Sequence, residues 1–227
     1  PHELRPTVRN LVESAVHPDH RYRLLSLPLE FGTGFTGSLA TLLADQDEFG
    51  PYDPMRWRAF RYVPGQATNV ELTAAEAAVF RPEPGRAFWL ISSQAHQVDT
   101  APAADARSTS AEAPYEVTLE PGWNQVGNPF AFPVSAADVE FPSDVESLTA
   151  FDPHRGPNGD YADRPVQVLQ PFEGYFIYNA GPQPRVLKVH PIEASSVAAA
   201  AAKRVTTSPR WADPGAAASN ESWALDR

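Results

Sequence analysis

Four groups of residues in this 227-residue chain have types and spacings that could do chemistry. Gly32-x-Gly34-x-x-Gly37 follows a strand-like run and precedes a short apolar stretch, the order found where a glycine-rich turn cradles a dinucleotide. Pro28 interrupts the strand, however, and the helix that could follow is too short for a βαβ crossover. The loop reading is therefore preferred and no cofactor is expected. His17-Pro-Asp19-His20 brings three metal-ligating side chains together, but a structural zinc site needs four and no second cluster supplies them. Asp45, Asp47, Glu48 and Asp53 could offer oxygen ligands to calcium, as could Asp152 and Asp160 beside Asn158-Gly159. Neither set has EF-hand spacing, so both are read as solvated loops, with Asp45, Asp47, Asp152 and Asp160 kept as weak calcium candidates. The fourth group is aromatic: Trp57, Trp89, Trp123, Tyr175, Phe176 and Tyr178. If exposed, Trp57, Trp89, Trp123 and Tyr178 could stack against sugar rings. Packing is the preferred reading, because large aromatics dominate core energetics.

Other chemistries are limited by composition. The chain has no cysteine, which removes disulfides, thiolate metal sites and cysteine nucleophiles. It has neither a G-x-S-x-G elbow nor an H-E-x-x-H helix. A net charge of -10 disfavours nucleic acid and anionic membranes, and no apolar run approaches the length of a membrane span. We expect no enzymatic activity and no membrane insertion.

Alternation and turn signals indicate the elements that position these residues. The 24 prolines oppose long helices and favour short strands joined by turns. Strands are expected at 21–31, 57–63, 86–92, 96–100, 115–119, 123–127, 148–152, 166–169, 174–179 and 185–190. Asn158-Gly159 should form a hairpin tip. Residues 7–16 place Val8, Leu11, Val12, Ala15 and Val16 on one helical face, with a strand as the alternative. Short helices are expected at 38–44, after the capping-box match Thr73-Ala-Ala-Glu76, and in the alanine run after Ser195-Ser196.

An internal repeat organises the chain. YRLLSLPLEF (22–31) aligns with WNQVGNPFAF (123–132), matching Leu25 with Val126, Pro28 with Pro129 and Phe31 with Phe132. WRAFRY (57–62) aligns with LTAFDP (148–153), and PGRAFWLI (84–91) with PFEGYFIY (171–178), so that Ala87 meets Gly174 and Trp89 meets Phe176. Adjacent strand residues face opposite sides. One ring of each matched pair, Phe88-Trp89 and Tyr175-Phe176, should therefore enter a core while the other lies between modules. The two copies should pack about a pseudo-two-fold axis. Asn124 and Asn128 have no counterparts in the first copy and should serve the local backbone.

The expected fold is mainly β: two related antiparallel β modules, sandwich- or barrel-like, with one or two short connecting helices. Residues 1–19 would lead in from a preceding domain. Residues 20–100 form the first module, 101–113 a linker, 114–192 the second module, 193–220 an Ala/Ser/Pro-rich linker, and 221–227 the start of a further element. The chain is read as part of a longer polypeptide.

The combination of Trp123-Asn124-x-x-x-Asn128-Pro129 and Pro171-x-x-Gly174-Tyr175-Phe176 resembles the GWN…NP…GYW repeat modules towards the C-terminal ends of large secreted bacterial proteins. The likeness covers roughly residues 20–192 and is weaker in the first copy, where Tyr22-Arg23 replaces Trp-Asn and Ala87 replaces Gly. It implies a non-catalytic extracellular or cell-surface module for structure, display or attachment. Its partners would be neighbouring domains of the same polypeptide, other surface proteins or glycans.

Overall fold

The computed structural model describes residues 11–31, 37–44, 46–73, 80–100 and 106–195, with only the backbone of 106–108. Residues 32–36 of the glycine loop, the helix expected after Thr73 and the alanine run after Ser195 lie outside the described residues.

The fold is mainly β, and among the described residues every strand pairing is antiparallel. The first half contains β1 (Arg23–Ser26), β2 (Leu29–Phe31), α1 (Leu39–Leu43), β3 (Trp57–Val63), β4 (Thr68–Glu71), β5 (Ala87–Ser92) and β6 (Ala106–Ser108). The second contains β7 (Tyr115–Leu119), β8 (Gly122–Gly127), β9 (Val134–Ser135), β10 (Val139–Glu140), β11 (Thr149–Asp152), β12 (Asp160–Tyr161), β13 (Val168–Leu169), β14 (Gly174–Asn179) and β15 (Arg185–Val189).

Each half has one four-stranded sheet, ordered β1-β5-β3-β4 in the first and β8-β14-β11-β12 in the second. In both, the strand carrying the first aligned segment is at the edge and pairs with the strand carrying the last. The registers also agree. Leu25 opposes Phe88 and Ser26 opposes Ala87, while Val126 opposes Tyr175 and Gly127 opposes Gly174. The middle match is offset: Phe60 opposes Trp89, whereas Thr149, not Phe151, opposes Phe176. A two-residue slip keeps side chains on the same face, so Phe60 and Phe151 both point between the halves.

Alternation divides the strands between two environments. From β5 and β14, Phe88, Leu90, Tyr175 and Ile177 enter the two cores. Ala87, Trp89 and Phe176 instead join Leu24 in a third apolar cluster between the sheets. The first core is closed by Leu39, Leu42 and Leu43 of α1, whose i, i+3, i+4 spacing gives it one apolar face. The second is closed by β7 and β15, through Val117, Leu119, Leu187 and Val189.

Two expectations for connecting segments are corrected. Residues 11–17 are not helical: in keeping with the strand alternative, they form isolated bridges at Val12 and His17 on either side of a bend at Ser14-Ala15. Glu13 N donates to Val98 O at 2.9 Å, His17 N to His96 O at 2.7 Å, and Thr100 N to Leu11 O at 2.9 Å. This ladder precedes β1 and follows β5, just as β7 precedes β8 and β15 follows β14. Its pairing partner lies about eighty positions downstream, and that tertiary contact overrides a weak local helical preference. Within the expected linker, β6 pairs with β2 by setting Leu29 against Ser108. Backbone hydrogen bonds define this strand without the apolar alternation that sequence reading needs.

Candidate functional site

The halves meet at a seam where corresponding residues touch one another. Ser26 N donates to Phe172 O at 3.2 Å, and Gly127 N donates to Gly85 O at 3.1 Å. In the alignment Ser26 corresponds to Gly127 and Gly85 to Phe172, so the two bonds are the same bond made in opposite directions. The bridges Leu25–Glu173 and Arg86–Val126 are reciprocal in the same way. A Cβ built on Gly127 would lie 1.9 Å from Ser26 Oγ, and one on Gly174 would lie 2.7 Å from Ala87 Cβ. Trp89 and Phe176, also aligned, have ring centroids 5.6 Å apart. Small residues occupy the centre because the backbones approach too closely for larger ones. Gly85 and Phe172 both have positive φ, 72° and 65°. In Phe172 the side chain, 3% exposed, anchors this unusual conformation for a bulky residue by entering the first core.

Aromatic rings line the seam. Trp89 meets Phe151 edge-on at 4.8 Å and Tyr22 edge-on at 6.1 Å. Tyr161 approaches Phe151 at 5.8 Å and Phe176 at 5.4 Å. Trp123, 44% exposed, lies 5.0 Å from Tyr178, with the rings tilted by 59°. Of the four residues considered for sugar stacking, Trp57 is a core residue at 1% exposure, packed edge-on against Phe49 and Tyr52. Its strand turns it inward with Ala59, so it does not meet the exposure condition. Trp89 is half-buried in the seam, and Trp123 and Tyr178 remain accessible at one end without forming a coplanar pair.

The asparagines serve the backbone. Asn124 donates to Glu120 O and Gly122 O and accepts from Glu120 N. Asn128, fully buried, donates to Phe132 O at 2.7 Å and Leu169 O at 2.9 Å and accepts from Phe130 N at 2.9 Å. Asn179 closes the turn after β14 similarly, through Leu119 O, Gln183 O and Gly181 N. Asn128→Ala strands these buried groups and should cost roughly 2–3 kcal/mol, read by urea unfolding.

Of the metal candidates, Asp152 and Asp160 oppose one another across β11 and β12, but no set of three ligands forms around them among the described residues. Asp45 lies outside the described residues and Asp47 is exposed. Asp152 accepts from His154 N, and Asp160 accepts from Tyr161 N. Arg155 lies 3.7 Å from Asp160 and 2.8 Å from Asp163. Among the described residues no group of three or more His, Asp or Glu side chains could hold a metal ion. His17 turns inward to Glu13, whereas His20 pairs with Asp19 at the surface. Among the described residues no helix is long and apolar enough to cross a membrane.

One polar cluster was not anticipated from the sequence. Arg23 and Glu13, each 4% exposed, form a two-pronged ion pair: Nη1 donates to Oε2 at 2.9 Å and Nη2 to Oε1. Glu13 Oε1 also meets His17 Nε2 at 2.8 Å, and Oε2 accepts from Val98 N at 3.2 Å. Burial works to raise the Glu13 pKa, but hydrogen bonds from His17 and Arg23 outweigh it and hold the carboxyl at about 2. Beside the pair, His96 is 1% exposed, with its ring 5.8 Å from that of His17 and 5.2 Å from that of Phe49. Burial, followed by the Arg23 charge, depresses its pKa to about 4. The available signal was Arg23 itself, a charged residue that the alternation of YRLLSL places on the same face as core Leu25. Compared with known proteins, the chain matches no family model, and neither the curated proteins nor the solved structures yielded a match.

Proposed function

We propose that residues 20–100 and 114–192 are duplicated β modules forming a non-catalytic structural and attachment unit of a larger secreted bacterial protein. The observation carrying this reading is the reciprocal pair Ser26 N to Phe172 O and Gly127 N to Gly85 O. An isologous contact made within one chain is what fusion of two copies of a self-pairing module produces. The polar clusters also support a structural role: Glu13 is engaged by Arg23, His17 and Val98, and each asparagine described above by backbone groups. Locked in this way, the halves would act as a fixed-length spacer rather than a flexible tether.

The test of setting is protease shaving of intact cells that make the full-length protein, read by mass spectrometry. Release of peptides from 114–192 without lysis is expected. Recovery only after lysis would overturn the extracellular assignment.

A second reading, glycan binding, is favoured by the accessible Trp123 beside Tyr178. A glycan array with the native chain and Trp123→Ala distinguishes the two readings. On the structural reading the variant unfolds within about 1 kcal/mol of the native chain, since the ring is nearly half exposed, and neither protein retains sugar. Sugar retention by the native chain alone would establish the second reading.

A further inference from the structure

We propose that the cluster of Glu13, Arg23, His17 and His96 is an acid-released clamp: protonating His96 opens the 11–17/96–100 ladder and frees that edge of the first half while the second half stays folded. Among the described residues four backbone hydrogen bonds hold the ladder: Glu13 N to Val98 O, His17 N to His96 O, His96 N to His17 O, and Thr100 N to Leu11 O. The Thr100 hydroxyl and the Gln97 amide add side-chain bonds to Leu11 and Glu13. Its buried side rests on the cluster. Glu13 binds both strands of the ladder, through its own backbone and through its carboxylate to Val98 N, and links them to Arg23 of β1.

His96 is the group in this arrangement that cannot carry charge in place. Its Nδ1 lies 3.2 Å from Gln94 O, a pure acceptor, so the neutral ring keeps its proton there. A second proton must go to Nε2, which is buried and meets no hydrogen-bonding partner among the described residues. Around the ring, burial and the Arg23 charge outweigh the Gln94 carbonyl and the Glu13 charge, which favour the protonated form. The 11–17 strand contributes His17 and Glu13, β1 contributes Arg23, and the loop after α1 contributes the uncharged ring of Phe49. The Glu13 carboxylate is already shared by Arg23, His17 and Val98 N. From the second half Glu173 faces Arg23, His17 and Glu13, and its carboxyl accepts from Tyr175 OH at 3.2 Å. A charged His96 would therefore be desolvated beside Arg23 without an acceptor at Nε2. Opening the ladder moves it into water, and with few bonds to break this edge opens before the sheets do.

Linkage gives the sign. His96 has a folded pKa of about 4, below its ordinary 6.5. Its neutral form therefore supports the closed ladder fully above pH 6.5, and that support is lost as pH falls towards 4. The experiment is amide hydrogen exchange on the full chain at pH 7 and pH 4.5, with rates corrected for intrinsic pH dependence. Protection at Glu13, His17, His96 and Thr100 should fall about 50-fold, and protection at Val126 and Ile177 should hold. In His96→Phe, which retains a ring against Phe49 but cannot protonate, the ladder should stay protected at both values. Unchanged protection in the native chain, or an equal fall in His96→Phe, would overturn the proposal. If that variant does not fold, NMR titration of the native His96 ring decides the question. Ring protonation should coincide with loss of the ladder amides, and titration with the ladder intact would refute the clamp.

Discussion

Arg23→Met is expected to lose about 3–5 kcal/mol of unfolding free energy, the largest effect of any single substitution considered for this protein. Methionine fills much of the space left by the arginine stem, so packing accounts for little of the loss. What remains is the Glu13 carboxylate, 4% exposed, with only His17 and Val98 N to satisfy it. The Arg23 contact with Phe172 O at 3.4 Å is lost as well. The measurement is urea unfolding at pH 7, with Arg23→Met/Glu13→Leu as the companion. Replacing both partners removes the stranded charge, so the double variant should recover most of the loss. A loss below about 1 kcal/mol in Arg23→Met would show that the pair contributes little. The acid limb offers a second readout. Glu13 titrates near 2 when folded and near its ordinary 4.5 when unfolded. Its contribution is thus complete above pH 4.5 and lost as pH falls through 2. Without Arg23 the folded value rises, and that window shifts to higher pH.

Gly127→Ser should cost about 2–3 kcal/mol, and adding Ser26→Gly should restore most of it. The added Cβ would lie 1.9 Å from Ser26 Oγ and 2.1 Å from Ser26 Cβ, at the point where the two halves approach most closely. Because the positions correspond across the seam, the double variant simply exchanges serine and glycine between equivalent places and leaves side-chain volume unchanged. A double-mutant cycle by chemical denaturation should return a favourable coupling of about 2 kcal/mol. Additive losses would mean that the positions are not interchangeable, which would count against the duplicated-module reading.

Much of the architecture was legible because strand alternation and turn chemistry are local. The observed bounds of β3, β7 and β14 coincide with the sequence expectation, and α1 lies within the expected 38–44. Alternation alone put one ring of each pair, Phe88-Trp89 and Tyr175-Phe176, in a core and the other between the halves, and the tertiary structure decided that Phe88 and Tyr175 are the core rings. The Asn158-Gly159 turn closes the β11–β12 hairpin, with Gly159 at a φ of 81°. The partner of segment 11–17, for which a strand was only the alternative, and strand β6 were not legible, because distant segments hold them by backbone hydrogen bonds. The candidate site divides in the same way. Trp57 could not be distinguished from Trp123 by residue type, and only the packing of Phe49 and Tyr52 makes the first a core residue.

The sequence alone determined the strand-rich class, the order of the main strands, the small residues at Ala87 and Gly174, and the exclusion of cysteine chemistry. Each depends on residue type or on a period of two, both of which are local properties. Tertiary structure decided which strands pair, that Ser26 meets Gly127, and that Glu13, Arg23, His17 and His96 share one buried cluster. Glu13 and His96 are far apart along the chain, and their interaction depends on desolvation and charge at a few ångströms. Those quantities exist only once the 11–17 strand has paired with 96–100.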